Sequence, residues 1–388
     1  MTDSTFQGLT SEQKAFNDPT AFVRDQAVDR DQVDTAQEFR SRFGGPNQDT
    51  MPPYIEGLHE ISGLTEGRLS SGAYVTVAVS DKNTKDRAHE RDGTGMVAIS
   101  YSEGGVHKYE VIDFRQEDGS TCFDTFTVGN NARQMGGFED VSYVPGADNG
   151  SGTYYFVQEG GKTWDPSLKH GQGDWSTQDP AIFKAKIIDT CNELQQVTGH
   201  AMQLVDNDPI VVPAGTLKGA YGGYGNGVEG MAVDKNGNIY VGFQDSGKIF
   251  KGTLNGDQYT WDTTAVLDTK SGDLSGMAFD SSGNLVVSFG SHGSNGNSVT
   301  VYKNGDKGWE AQPTTGVNKV YGNDMADVEA IMVDHDNKVI AGSDNGEKDN
   351  TKFQNLGLVS SSDQGDALRD KSEQNTVLGN EQQSTAMS

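Results

Sequence analysis

At 388 residues, 33% of them hydrophobic, the chain is long enough to bury a substantial core. Its 30 basic against 56 acidic residues give a formal net charge of −26, a field that repels nucleic-acid phosphates and anionic lipid and attracts divalent cations. No apolar run approaches the ~18–20 residues of a spanning helix, so neither nucleic-acid binding nor membrane insertion is expected. The 50 glycines follow no collagen period and point instead to many tight turns.

The first 50 residues are polar and weakly patterned, with two short helical segments near Ser11 and after Asp34, and read as an N-terminal arm through which the chain would assemble. Residues 51–360 carry the repeats. Residues 361–388, rich in Ser, Gln, Asp and Asn, read as a polar tail. No basic start followed by an apolar stretch is visible at Met1; an extracellular or virion-associated setting is nevertheless the favoured expectation. Cys122 and Cys191 lack a zinc-ligand or CxxC spacing, and the sequence leaves their pairing open.

The fold is decided by an internal repeat. Val228-Glu229-Gly230-Met231-Ala232-Val233-Asp234 matches Leu274-Ser275-Gly276-Met277-Ala278-Phe279-Asp280 and Val328-Glu329-Ala330-Ile331-Met332-Val333-Asp334. Each run leads through a polar turn into a second apolar strand, as in Ile239–Phe243, Leu285–Phe289 and Val339–Gly342, and two units add a third strand. Looser copies start at Glu60 and Phe138. The motif recurs after 46 residues (229 to 275) and 54 residues (275 to 329). A period of roughly 40–50 residues with three or four short strands per unit predicts an all-β fold, a single β-propeller. Five blades are visible; six is the preferred total, the sixth coming from residues 187–220 or from both chain ends.

In a propeller the first strand of each blade lines the channel, so the repeat alignment becomes geometry. One inward position holds Ser62, Glu139, Glu229, Ser275 and Glu329. Two residues earlier, on the same strand face, stand Glu60, Gly137, Gly227, Asp273 and Asp327. The ends of the second strands add Asp81, Glu159, Asp245, Ser291 and Asp344. With Asp140, eleven carboxylates are expected around one mouth, where their repulsion calls for a hard cation with 6–8 oxygen ligands, Ca²⁺ first. The competing reading of each carboxylate is a cap on neighbouring backbone amides. Cations fall near the same mouth: Arg133, Lys162 and His292, with Lys82, Lys85, Arg87 and Lys348 in adjoining loops. His335 falls in the turn on the opposite face and is set aside. No nucleophile elbow, phosphate loop or HExxH motif is present.

The first-strand signature, Glu-Ile-Ser-Gly-Leu, Phe-Glu-Asp-Val, Val-Glu-Gly-Met, Leu-Ser-Gly-Met and Val-Glu-Ala-Ile, resembles the calcium-dependent propellers. These comprise the NHL-type and gluconolactonase-type families, the esterase-like phytases and the PhoX-type alkaline phosphatases. The run from Phe138 to Lys184 is most similar to the PhoX type, whose propellers hold metal at the channel mouth; neither cysteine here sits at a matching position. The resemblance implies a metal-dependent hydrolase of phosphate esters. Glu60, Asp81, Glu139, Glu159, Glu229, Asp245, Asp273, Asp327, Glu329 and Asp344 would then hold Ca²⁺. Arg133, Lys162 and His292 would contact a small anionic substrate, and a metal-bound water would attack. The rival is a non-enzymatic surface or virion-associated propeller that binds protein or glycan, with calcium stiffening the ring. A deep open pocket at the acidic mouth would favour the enzyme; a plugged channel would favour the scaffold.

Overall fold

The computed structural model describes residues 61–79, 97–103, 106–112, 114–117, 119, 126–128, 131–133, 138–146, 151–164, 175–206, 208–222, 227–291, 293–294, 296–306, 308–312, 315–316, 327–344 and 353–358. The expected arm and tail lie outside them. Among the described residues every regular element is a strand apart from one short 3₁₀ turn, Ala214–Thr216, and no helix is long and apolar enough to cross a membrane.

The first sheet contains β1 (Gly63–Arg68), β2 (Tyr74–Val79), β3 (Val97–Glu103) and β4 (Val106–Ile112), in that order and antiparallel. The short β5 (Phe114–Arg115) crosses to the second sheet, and β6 (Phe126–Val128) pairs with β7 (Asn131–Arg133) as a separate ribbon. β8 (Phe138–Val144) and β9 (Thr153–Gln158) open the second sheet; β10 (Gly161–Trp164) and β11 (Trp175–Gln178) form a second ribbon. β12 (Ala181–Cys191), β13 (Val197–Leu204) and β14 (Ile210–Val211) complete the second sheet, in the order β5-β13-β12-β9-β8, with β14 against the start of β12.

The third sheet is β15 (Val228–Val233), β16 (Ile239–Phe243), β17 (Lys248–Asn255) and β18 (Gln258–Trp261), with β19 (Leu267–Asp268) beside the start of β17. The fourth repeats it: β20 (Leu274–Phe279), β21 (Leu285–Phe289), β22 (Ser298–Gly305), β23 (Gly308–Ala311) and β24 (Thr315–Gly316) beside the start of β22. The fifth holds β25 (Asp327–Val333), β26 (Lys338–Asp344) and β27 (Phe353–Leu358).

These sheets are propeller blades. β1 packs on β8, β8 on β15, β15 on β20, β20 on β25, and β25 on β1, so five innermost strands close a circle. Four blades have four or more strands and the fifth has three. The preferred six-bladed ring is therefore corrected: β25 meets β1 directly, leaving no gap among the described residues for another blade. Residues 187–220 do not form an extra blade, because the end of β12, with β13 and β14, pairs within the second sheet. The split outer edge, a hairpin strand followed by a short returning strand, recurs in blades two, three and four.

The blades cohere face to face. Val75, Val77, Phe138, Phe156 and Phe183 share one buried cluster between blades one and two. Val157, Ile182, Met231 and Phe250 fill the space between two and three. Tyr240, Ile249, Leu274 and Phe289 join three to four, and Val286, Val301, Ile331 and Val339 join four to five. Each such side chain is worth about 1.5–3 kcal/mol buried rather than exposed. Both faces of a blade are apolar, so one blade alone would leave half its surface wet.

The hairpins after the innermost strands share one device. Asp234 Oδ1 accepts the N–H groups of Asn236 (2.8 Å) and Asn238 (2.9 Å), and Asp280 and Asp334 repeat both bonds in their own turns. The positive φ of Gly237 (80°), Gly283 (82°) and Asn337 (60°) closes each turn, a conformation glycine and asparagine adopt most readily.

Candidate functional site

Each innermost strand is paired on one edge only; its other edge faces the channel, where N–H groups need partners. In blades two to five a β-bulge interrupts the strand, at Glu139, Glu229, Ser275 and Glu329. A bulge leaves one residue out of the ladder and re-aims its side chain, which is how the inward column arises. Glu139 and Glu229 are 6% and 8% exposed, Ser62 and Ser275 are buried, and Glu329 is partly buried. Ser275 Oγ donates across the seam to the Val328 carbonyl.

One residue further lies the column Gly63, Asp140, Gly230, Gly276 and Ala330, where four blades carry almost no side chain and the second carries an aspartate. Asp140 is fully buried. Its Oδ1 accepts the Val141 N–H at 2.8 Å; its Oδ2 accepts the N–H of Met231 at 2.8 Å and of Met277 at 3.2 Å. The carboxylate thus ties β8 to β15 beside it and to β20 across the channel. Burial pushes its carboxyl well above the usual range, against the pull of the three amide bonds. The small neighbours make this geometry available: a Cβ on Gly63 would come within 2.5 Å of the Asp140 Cα. By its place beside Glu139 in the repeat, Asp140 is expected as another carboxylate of the mouth; the structure uses it as an amide acceptor at the axis. The lone Asp in a Gly/Ala column was the available signal.

The upper mouth, where the innermost strands begin, holds the other expected ligands with differing duties. Glu159 Oε1 accepts the Gly227 N–H at 3.1 Å; burial raises its carboxyl, and Asp245 nearby adds repulsion. Asp273, at φ 63°, accepts the Gly293 N–H through Oδ2 at 3.1 Å and so closes the loop after β21. Asp327 and Asp344 are backbone register partners where β25 begins and β26 ends. Arg133 ends β7 and Lys162 lies in β10, in the two ribbons apart from the blades. Glu60, Asp81 and His292 lie outside the described residues. Among the described residues no three His, Cys, Asp or Glu side chains are close enough together to hold a metal ion. Cys191 is free and exposed at the end of β12.

The lower mouth, where the innermost strands end, opens into a cavity of about 360 Å³ to which all five blades contribute. Glu66 Oε1 accepts the His335 N–H at 2.8 Å and lies 2.6 Å from its Nδ1, joining the first blade to the last. The His335 ring stacks on Tyr74 with centroids 3.7 Å apart and planes 12° from parallel. The Arg68 guanidinium stands 4.2 Å over the same tyrosine ring and donates to its hydroxyl at 2.7 Å. Asn337 bonds both the N–H and the hydroxyl of Ser281, joining blades five and four. His335, set aside from its turn position, proves to be a principal lining residue. Its partners Glu66 and Tyr74 come from a different blade, which spacing within one repeat does not reveal.

No protein-family model matches the sequence, and no curated protein matches it. Solved structures similar to the chain include Trypanosoma rangeli sialidase, at 12% identity and TM-score 0.38, covering 79% of this chain and 49% of that one. The PQQ-bound aldose sugar dehydrogenase of Streptomyces coelicolor is 11% identical at TM-score 0.35, covering 76% and 94% of the two chains. A gluconolactonase-type protein is 13% identical at TM-score 0.35, covering 79% and 94%. The chain spans about half the length of the sialidase it matches. Likeness at this level carries no function across; the propeller is read from the sheets themselves.

Proposed function

We propose that the chain is a non-enzymatic binding propeller whose acidic upper mouth holds a hard divalent cation, Ca²⁺ first, as a stiffening ion. The observation that carries the choice is Asp140: the carboxylate nearest the axis beside Glu139 is committed to backbone N–H groups of three blades, a structural duty rather than a catalytic one. Three glutamates placed by the same bulge in different blades are hard oxygen donors of the kind Ca²⁺ takes, and a bound ion would have to draw them closer together than they stand in this structure. Glu159 and Asp245 are further donors near the same mouth. The bound partner would be a protein or glycan, met outside the mouth rather than at a reaction centre.

The test is a thermal melt with CaCl₂ or EGTA, run beside hydrolysis of p-nitrophenyl phosphate. Calcium at a hundred times its Kd should stabilise the fold by about 2.7 kcal/mol, with no turnover, and Glu229→Gln should weaken the calcium response. No shift at millimolar calcium would remove the cation from the reading. Turnover abolished by EGTA would replace the scaffold with a metal-dependent phosphoesterase using Arg133, Lys162 and His292.

A further inference from the structure

We propose that the edge strand of the fifth blade is a docking site for the chain's own segment ahead of β1, Tyr54-Ile55 pairing antiparallel with the start of β27. The first blade is then fastened to the last by backbone bonds as well as by side chains. The inference is independent of the cation reading.

It rests on a rule that three blades repeat. Blades two, three and four each lay a two-residue strand along the outer edge of the third strand, against its first two residues. Ile210–Val211 pairs with Ala181 and Ile182, Leu267–Asp268 with Lys248 and Ile249, and Thr315–Gly316 with Ser298 and Val299. Each short strand belongs to the stretch leading into the innermost strand of the next blade, which starts 18, 7 or 12 residues later (210 to 228, 267 to 274, 315 to 327). In blade one β4 covers the start of β3 by itself, Ile112 opposite Val97. In blade five β27 is the third strand, and among the described residues its outer edge carries no strand. A row of bare N–H and C=O groups is a template for extended chain lying near it.

Because β25 packs on β1, the blade that follows the fifth is the first. The stretch leading into β1 therefore stands where the short strands of blades two to four stand. From residue 44 to residue 60 it contains one pair of adjacent hydrophobic residues, Tyr54-Ile55. The pair starts nine residues before Gly63 (54 to 63), within the range of the other three, and follows Pro53 as Ile210 follows Pro209. Proline has no N–H to leave bare, which suits the entry of an edge strand. The tail is the rival occupant, but the same rule gives it another place. What directly follows the third strand in blades three and four is β18 or β23, and each pairs with the later half of that strand.

The experiment is hydrogen exchange by mass spectrometry on the full chain, wild type against a Tyr54→Pro, Ile55→Pro double variant that removes both N–H groups of the pair. Exchange across 353–358 should rise tenfold or more, while β22, the corresponding strand of blade four, is unchanged. Should that variant fail to fold, cysteines give a second reading. In a Cys122→Ser, Cys191→Ser background, Ile55→Cys with Phe353→Cys should link under oxidised glutathione, whereas Ile55→Cys with Lys248→Cys should not. Exchange at β27 that ignores the prolines overturns the proposal, as does a folded Ile55→Cys, Phe353→Cys chain that forms no link. Protection of β27 that grows with protein concentration also overturns it, since the edge would then be held by a second copy.

Discussion

Asp140 is the residue on which the centre of the molecule turns. Its two oxygens serve three N–H groups that belong to three different blades, and no other residue of its repeat column has a side chain that could do so. Replacing it by asparagine keeps the shape but sets an amide NH₂ against donors, so Asp140→Asn should cost about 1–3 kcal/mol near neutral pH in urea unfolding. The pH course has a definite sign. Burial raises this carboxyl above its unfolded value, so its contribution is full below the ordinary carboxylate range and declines as pH rises through the raised value. The gap between wild type and Asp140→Asn should therefore narrow with rising pH; a gap that widens would mean the amide bonds dominate. Gly63→Ala tests the same spot from the other side: its Cβ meets backbone at 2.5 Å, and overpacking of this kind costs about 1–3 kcal/mol. The column itself was legible in the sequence as Gly, Asp, Gly, Gly, Ala. The role of its one acid was not, because an amide acceptor is defined by donors 91 and 137 residues away.

Between elements, the seam from blade one to blade two carries a polar knot on its outer side. Glu110 of β4 accepts the His200 N–H at 3.0 Å and the Tyr101 hydroxyl, and lies 3.0 Å from His200 Nδ1. His200 Nε2 is 3.7 Å from Asp189, which accepts from Ser70 Oγ. Burial alone would raise Glu110, but the bonds from His200 and Tyr101 outweigh it and hold the carboxyl below its usual value. Stability from Glu110 is thus present above the ordinary carboxylate range and lost as pH falls through the lowered value. Glu110→Gln should cost about 1–2 kcal/mol at pH 7 and little in acid, read from denaturant midpoints at the two pH values. Nothing in the repeat pattern announced this knot: its members come from outer strands, where the repeats diverge most. The inner strands and their Asp-headed turns, by contrast, stood out in the sequence at the correct positions.

For the whole molecule, closing a ring from one continuous chain requires a bond between its first and last blades. Among the described residues β1 and β25 pack together, and Glu66, His335, Tyr74 and Arg68 fasten that seam at the lower mouth. Glu66→Gln should loosen the closure by about 1–3 kcal/mol, lowering the melting temperature by a few degrees. Hydrogen exchange should rise first in β1, β2, β25 and β26, with β15 to β17 protected longest; uniform loss across all blades would contradict a seam at this place. Ring closure also explains the blade count. The sequence showed five copies and tempted a sixth, but the number of blades is set by how far each packed pair turns about the axis.

Taken by itself, the sequence determined the period, the alternation of apolar strands and the Asp-headed turns, and therefore an all-β propeller. Those features rest on bonds and contacts within about fifty residues, and a repeat prints them several times over. Tertiary structure alone decided that the ring closes after five blades among the described residues, that Asp140 ties three of them together at the axis, and that a recess forms on the face the spacing gave no reason to inspect. Each of these depends on groups from different blades meeting at an axis, where distance along the chain no longer measures distance in space.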